Sequence, residues 1–126
     1  MKNSILLILV ASCSSVSLVQ EWGYECMHET DPFRRTQWVG KIMGSGDAAS
    51  IAILIDCYEE ALRQEKKPER DPAENFITPE TAGPEVWGLF ILTGQDFGKD
   101  IPKWRRWWIE NRDLLRWDAA NRRFQR

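Results

Sequence analysis

The strongest periodic pattern in the chain lies between residues 48 and 66. Its apolar positions repeat at the i, i+3, i+4 and i+7 spacing of a helix face that packs on a core: Ile51, Leu54, Ile55, Tyr58 and Leu62. A second apolar stripe at steps of four contains Ile53, Cys57 and Ala61. A helix that is apolar on two sides predicts neighbours on both. Asp47 is its expected start, and Glu59 and Arg63 have the spacing of an i, i+4 ion pair.

Capping signals predict two helices before this one. Asp31 followed by Pro32 places a capping carboxylate before a proline at the first helical position. That helix should end at Gly44-Ser45-Gly46, where two glycines favour a turn. A shorter helix is predicted over residues 21–29.

A second helical hairpin is predicted after a connection over residues 66–84, which holds four of the six prolines. Val86 to Leu92 form a short apolar helix that Gly94 ends, and Asp100 caps the next helix. That last helix has three tryptophans on one face, at i, i+3 and i+4: Trp104, Trp107 and Trp108.

The end of the chain, residues 114–125, alternates around a turn-like tetrad. This favours a short β-hairpin, with continuation of the helix as the alternative. The predicted fold class is therefore mainly α, with two or so antiparallel helical hairpins and, on the first alternative, a short C-terminal β-hairpin.

The N-terminus carries an export pattern. One lysine precedes a run of apolar residues, Ile5 to Ala11, which is too short for a transmembrane helix of roughly 20 residues. The run closes on Val10-Ala11-Ser12-Cys13, which resembles the lipobox of a bacterial lipoprotein signal. The resemblance implies that residues 1–12 are removed and that Cys13 receives lipid. Residues 13–20 are then a tether, and residues 21–126 form the domain.

The same resemblance predicts where the protein resides. An exported protein anchored to the cell envelope is expected, in the outer membrane if the host has one, because Ser14 is uncharged and is not aspartate. Two alternatives stay open. Cleavage after Ser17 would release a soluble secreted protein, or the apolar run belongs to the core of a cytosolic protein.

The body of the chain resembles divergent HEAT repeats. The residues that carry this likeness are Trp38 to Ile42, the turn Gly44 to Asp47, the aliphatic helix Ile51–Leu62, and the string Leu92 to Trp108. Two repeats are fewer than the roughly three that an open array needs. We therefore expect the N-terminal segment and the tryptophan-rich tail to cap the two ends. The resemblance implies a scaffold that binds other proteins and transfers no catalytic residue.

Charge is distributed unevenly. From Lys99 onward nine Lys/Arg face four Asp/Glu, whereas residues 13–98 hold seven Lys/Arg and fifteen Asp/Glu. The basic end suits anionic lipid or an acidic partner, unless the two halves satisfy each other. The basic, aromatic surface Trp104, Arg105, Arg106, Trp108 and Arg112 is the predicted partner surface, although three tryptophans at helical spacing are also typical of a core.

Cysteine chemistry fits an oxidising compartment. With Cys13 lipidated, Cys26 and Cys57 form an even pair whose disulfide would close a loop of about 30 residues. Two separate buried thiols are the alternative.

The chain has few residues that are candidates for catalysis. His28 is the only histidine, so neither a Ser-His-Asp triad nor a multi-histidine metal site can form within this chain. A Cys26–His28 dyad has poor spacing, and Asp96 and Asp100 lack the ligand ladder of a calcium loop. No cofactor or metal is expected.

These observations predict a non-enzymatic, lipid-anchored module that binds a protein partner at the envelope. The alternative is a carbohydrate- or cell-wall-binding lipoprotein that uses its Trp/Arg surface. Nucleic acid is not an expected partner, because an exported protein seldom meets it. The sequence does not predict an oligomeric state.

Overall fold

A computed structural model describes residues 17–64 and 83–126 of the chain. These ranges contain five α-helices: α1 Leu18–His28, α2 Pro32–Met43, α3 Ala49–Gln64, α4 Pro84–Thr93 and α5 Ile101–Asn111. A 3-10 turn at Arg112–Leu114 then leads into strands β1, Arg116–Asp118, and β2, Arg123–Gln125. The strands pair antiparallel with Trp117 opposite Phe124. The predicted mainly helical fold with a C-terminal hairpin is confirmed, and the alternative of a continued helix is wrong.

Some predictions fall outside the described ranges. The signal segment 1–12 and Cys13 lie there, as does most of the proline-rich connection. Of the predicted tether, residues 18–20 belong to α1. This helix begins three residues earlier than predicted because Ser17 serves as its cap, its hydroxyl accepting a bond from the Gln20 amide.

The predicted caps of α2 and α5 are confirmed. The Asp31 carboxylate accepts the Phe33 amide at 3.0 Å, and the Asp100 carboxylate accepts the Lys103 amide at 3.1 Å. Gly94 ends α4 in the left-handed conformation, with φ of 73°, which a residue without Cβ adopts at little cost.

Helix α3 is the centre of the core. It contacts α1, α2, α4 and α5, as its two apolar stripes predict. Its buried members are Ile51, Leu54, Ile55, Cys57 and Tyr58. From the second hairpin, Val86, Leu89, Leu92 and Trp104 complete the same cluster.

The predicted ion pair on α3 has different partners. Arg63 bonds Glu60 at 2.8 Å, one residue closer than expected. Glu59 instead accepts a bond from Arg105 of α5 at 3.0 Å. Tertiary contact with α5 therefore replaces the local pair.

The β-hairpin covers the turns of both helical hairpins. The Trp117 indole lies against Gly46, where an added Cβ would be 3.2 Å from Nε1. The Arg123 guanidinium lies in the same way over Gly94, and Phe124 is buried in the core. The tail thus closes one end of the helical body, and α1 closes the other.

The longest described helix, α3, has 16 residues. Within residues 17–64 and 83–126, no helix combines the length and the apolar character needed to cross a bilayer.

Candidate functional sites

The predicted Trp/Arg surface on α5 is divided by burial. Trp104 is fully buried, its indole Nε1–H donates to the Gly98 carbonyl at 2.9 Å, and its ring meets Phe97 edge-on at 4.8 Å. Trp108 is half-buried, whereas Arg106 and Arg112 are exposed. Trp104 therefore supports this surface from below and does not present a face to a partner.

Arg105 is already engaged within the chain. Its guanidinium bonds Asp56 and Glu59, each at 3.0 Å, and so ties α5 to α3. Partial burial opposes the charge, but the two carboxylates outweigh it and raise the pKa of Arg105. Because all three groups are well exposed, these pairs contribute little stability, and they also satisfy the charge that a partner would have used.

A second aromatic site lies on α1 and α2. An open groove of about 700 Å³ is lined by three aromatic and three polar side chains: Trp22, Tyr24, Trp38, Gln20, Glu21 and Glu25. Tyr24 is 59% exposed, and both tryptophans are half-buried. We call this site the aromatic groove.

The chemistry of the aromatic groove favours a cation. Lys41 Nζ lies 4.7 Å from the centroid of the Trp38 ring, so a cation of the chain itself already occupies one face of this indole, and a partner cation must displace it or bind at the remaining aromatic surface. Glu21 and Glu25 are one helical turn apart and place two carboxylates at the rim. Aromatic faces beside carboxylates form a site for lysine- or arginine-like groups.

Sequence reasoning missed this groove. Trp22 and Trp38 are 16 positions apart and lie on different helices, so only the packing of α1 on α2 brings them together. The available signal was the density of aromatic and acidic residues within Glu21 to Glu25.

A third site lies between the hairpin and the end of α4. This open pocket of about 750 Å³ combines amides and guanidinium groups with two aromatic rings: Gln95, Asn121, Gln125, Arg123, Arg126, Trp107 and Phe124. The Arg126 guanidinium donates to the Asn111 side-chain oxygen at 2.9 Å, which fixes one wall. We call this site the hairpin pocket.

A buried ion pair lies at a small cavity of about 360 Å³. Glu85, in the first turn of α4, is 1% exposed and lies 3.0 Å from Arg35 Nε. Burial raises the pKa of the Glu85 carboxyl, and the Arg35 charge opposes that shift. Nothing in the sequence indicates that this glutamate is buried.

The candidate reactive groups are separated. His28 is exposed, and its Nδ1 lies 2.8 Å from the Tyr24 carbonyl oxygen in the preceding turn. The Cys26 thiol lies instead beneath α2, 4.0 Å from the Arg35 carbonyl oxygen. Cys26 and Cys57 are both buried free thiols in the structure.

The turn before α5 has a structural role. Asp100 caps the helix, and Asp96 is exposed. No three His, Cys, Asp or Glu side chains among the described residues are grouped to hold a metal ion.

Comparisons with protein-family models, curated proteins and solved structures find no match to this chain. Inference about its function therefore depends on its own residues.

Proposed function

We propose that this protein is a lipid-anchored, non-enzymatic module that binds a protein partner at the cell envelope, and that the aromatic groove receives the partner. The observation that carries the proposal is the grouping of Trp22, Tyr24 and Trp38 with two rim carboxylates. The occupant is a segment of an envelope protein that presents lysine or arginine side chains. The proposed contact therefore lies on α1 and α2, away from the α5 surface that the sequence first suggests.

The position of the groove supports a membrane-proximal partner. Leu18, the first residue of α1, is five positions after Cys13. A fully extended chain covers at most about 3.6 Å per residue, so the anchor holds the start of α1 within about 18 Å. A groove on α1 therefore remains near the bilayer surface, where it meets membrane-anchored or juxtamembrane segments.

The energetics predict moderate, salt-sensitive binding. A cation over an exposed aromatic ring contributes about 0.5–1 kcal/mol, and more where the ring is partly desolvated. Rim carboxylates add attraction that is screened over about 8 Å at physiological ionic strength. Several cationic side chains must bind together to give useful affinity, which suits an extended basic segment.

The anchor is tested by metabolic labelling with a fatty acid. The wild-type chain should take up label and fractionate with membranes, and Cys13→Ala should lose both properties. A wild-type chain that takes up no label and stays in the soluble fraction contradicts the anchor.

The groove is tested by fluorescence anisotropy with a labelled lysine- and arginine-rich peptide. Tyr24→Ala should weaken binding about tenfold, which corresponds to roughly 1.4 kcal/mol. Glu25→Gln should weaken it less and reduce its salt dependence. Phe33→Ala is the matched control, because Phe33 is exposed on α2 but does not line the groove. Equal binding of an acidic peptide of the same length would contradict the proposal.

A second candidate function, glycan or cell-wall binding, is favoured by the hairpin pocket. Amide and guanidinium groups line this pocket beside Trp107, which is 9% exposed, and such groups suit the hydroxyls of a sugar. Tryptophan fluorescence during titration with wall fragments tests it. A change that Gln125→Ala abolishes supports this function, and emission that is indifferent to glycans removes it.

A further inference from the structure

The contact between α1 and α3 depends on a glycine. A Cβ added at Gly23 would lie 2.5 Å from Ile53 Cγ2, so only glycine permits this approach of the two helices. The Gly23 carbonyl points along α1 toward Cys26, and its oxygen lies 3.7 Å from Cys57 Sγ, one turn beyond Ile53, so α3 passes α1 in the same direction. Cys26 follows Gly23 by one turn, and Cys57 follows Ile53 by one turn. The register that pairs Gly23 with Ile53 therefore places Cys26 beside Cys57.

The positions of the two thiols agree with that register. Cys57 Sγ lies 3.7 Å from the Gly23 carbonyl oxygen, on the turn of α1 that precedes Cys26. Both cysteines are nearly inaccessible, at 1% and 2% exposure. The neighbouring Cys26 side chain is the largest cause that raises the pKa of Cys57, and burial is the next. The two cysteines are thus neighbours within the buried contact between α1 and α3.

We propose that Cys26 and Cys57 form an intramolecular disulfide that fastens α1 to α3. The link would join the helix that carries the aromatic groove to the central helix of the core. It does not depend on what the groove binds.

The reaction is a thiol–disulfide exchange with a small-molecule or protein disulfide as oxidant. One cysteine, as thiolate, attacks the oxidant disulfide, forms a mixed disulfide and releases one thiol. The second cysteine then attacks the first and releases the other thiol. In sum, the two cysteines lose two electrons and two protons, and the oxidant disulfide is reduced to two thiols.

Burial determines when this exchange occurs. A thiol must be accessible to react, and this condition fails for both cysteines once α1 has packed against α3. The raised pKa of Cys57 also disfavours its reactive thiolate. The bond therefore forms while the chain folds, or during local detachment of α1. The folded reduced protein should react slowly even with excess oxidant.

The test uses the full-length Cys13→Ser chain, in which Cys26 and Cys57 are the only thiols. The chain is unfolded with reductant, refolded in buffers of increasing oxidised glutathione, unfolded again and alkylated. Mass spectrometry should show that both thiols escape alkylation together, with the loss of two hydrogen atoms. The oxidised protein should keep its helical circular dichroism and melt about 10 °C higher than the reduced protein.

The matched control is Cys57→Ser in the same background. Its single thiol has no intramolecular partner, so its melting temperature should not depend on the ratio of reduced to oxidised glutathione. Two thiols of the parent chain that both remain alkylated, or an oxidised form that loses its helical signal, would overturn the inference.

Thiol trapping in the producing cell separates this inference from the proposed function. A bond that forms on refolding but is absent in the cell leaves the inference intact and counts against export. A bond found in the cell, together with a groove that binds no basic peptide, supports the link and contradicts only the proposed binding function.

Discussion

The two ends of the helical body are closed by opposite kinds of packing. At one end α1 lies on α3 through small side chains, with Gly23, Cys26 and Cys57 at the contact. At the other end the chain after Gly94 supplies large aromatic rings, Trp104, Trp107 and Phe124 among them, that fill the core with volume.

The difference concerns what each end tolerates. Where two helix backbones lie close together, removal of side-chain atoms is tolerated. Addition of atoms is not, because it forces the neighbouring helix to move. A contact set by ring volume responds in the opposite way, because removal leaves a cavity. The small-residue end should therefore be sensitive to enlargement, and the aromatic end to truncation.

Trp104→Ala should have the largest effect of any single change. Loss of a fully buried tryptophan costs about 3–5 kcal/mol of unfolding free energy, and it also leaves the Gly98 carbonyl without its indole partner. Urea denaturation followed by circular dichroism measures this loss. Trp87→Ala, at a tryptophan that is 37% exposed, is the control and should cost less than about 1 kcal/mol. Equal losses for the two variants would show that the aromatic end does not depend on volume.

Gly23→Ala tests the small-residue end, with Gly40→Ala as its matched control. Both glycines lie within helices, so both variants gain the same helix propensity, about 0.5–1 kcal/mol. At Gly40 nothing lies within 4 Å of an added Cβ, and this variant should be stabilised by that amount. At Gly23 the new methyl meets the stiff β-branched Ile53, and the overpacking cost of about 1–3 kcal/mol should cancel or exceed the gain.

A double variant sharpens this comparison. Ile53→Ala removes the clashing methyl, so Gly23→Ala should cost less in that background than in the wild type. Identical costs in the two backgrounds would mean that Ile53 does not limit the approach of α1.

Sequence reasoning succeeded where the determinants are local. Asp31, Asp100 and Gly94 act on amides and carbonyls within a few residues, and the stripes of α3 repeat along one helix. The hairpin was one of two alternatives, because strands of three residues contain too few positions to define a period.

Features that depend on contacts between distant segments could not be predicted from the sequence. The spacing of Trp104 suits a partner surface as well as the core, and its burial depends on packing against Phe97 and Gly98, which lie in the turn before α5. The buried Glu85 depends on Arg35, 50 positions earlier in the chain. The aromatic groove likewise requires the angle between α1 and α2, which no local pattern encodes.

Glu85→Gln should change how the stability of the protein depends on pH, because Glu85 is buried beside Arg35. The pKa of Glu85 lies above its ordinary value of 4.5, because burial outweighs the charge of Arg35. The Glu85 carboxyl therefore holds its proton more tightly in the folded state than in the unfolded chain. The stabilisation that this proton provides is present below about pH 4.5 and is lost as the pH rises through the folded-state pKa.

The measurement is the melting temperature of wild type and Glu85→Gln across that range. The wild type should lose a few degrees relative to the variant as the pH rises toward neutrality. Glu110→Gln, at an exposed position on α5, should follow the wild type throughout. A difference that does not change with pH would show that the pKa of Glu85 is the same in the folded and unfolded states.

The smallest effect is expected at Asp118, a half-buried residue at the turn of the β-hairpin on the aromatic end. Bonds from the Asn121 side chain, at 2.7 Å, and from the Asn121 and Ala120 amides lower the pKa of this carboxyl below its ordinary value of 3.8. The stabilisation is therefore present above about pH 3.8 and is lost as the pH falls through the folded-state pKa. Asp118→Asn should increase hydrogen exchange at the amides of the turn at neutral pH, with only a small decrease in the global melting temperature, whereas Asp113→Asn should change neither. The rings of Trp117 and Phe124, whose centroids are 5.0 Å apart, hold the two strands together. Loss of the turn bonds should therefore open the turn at residues 118–121 without releasing the hairpin from the core.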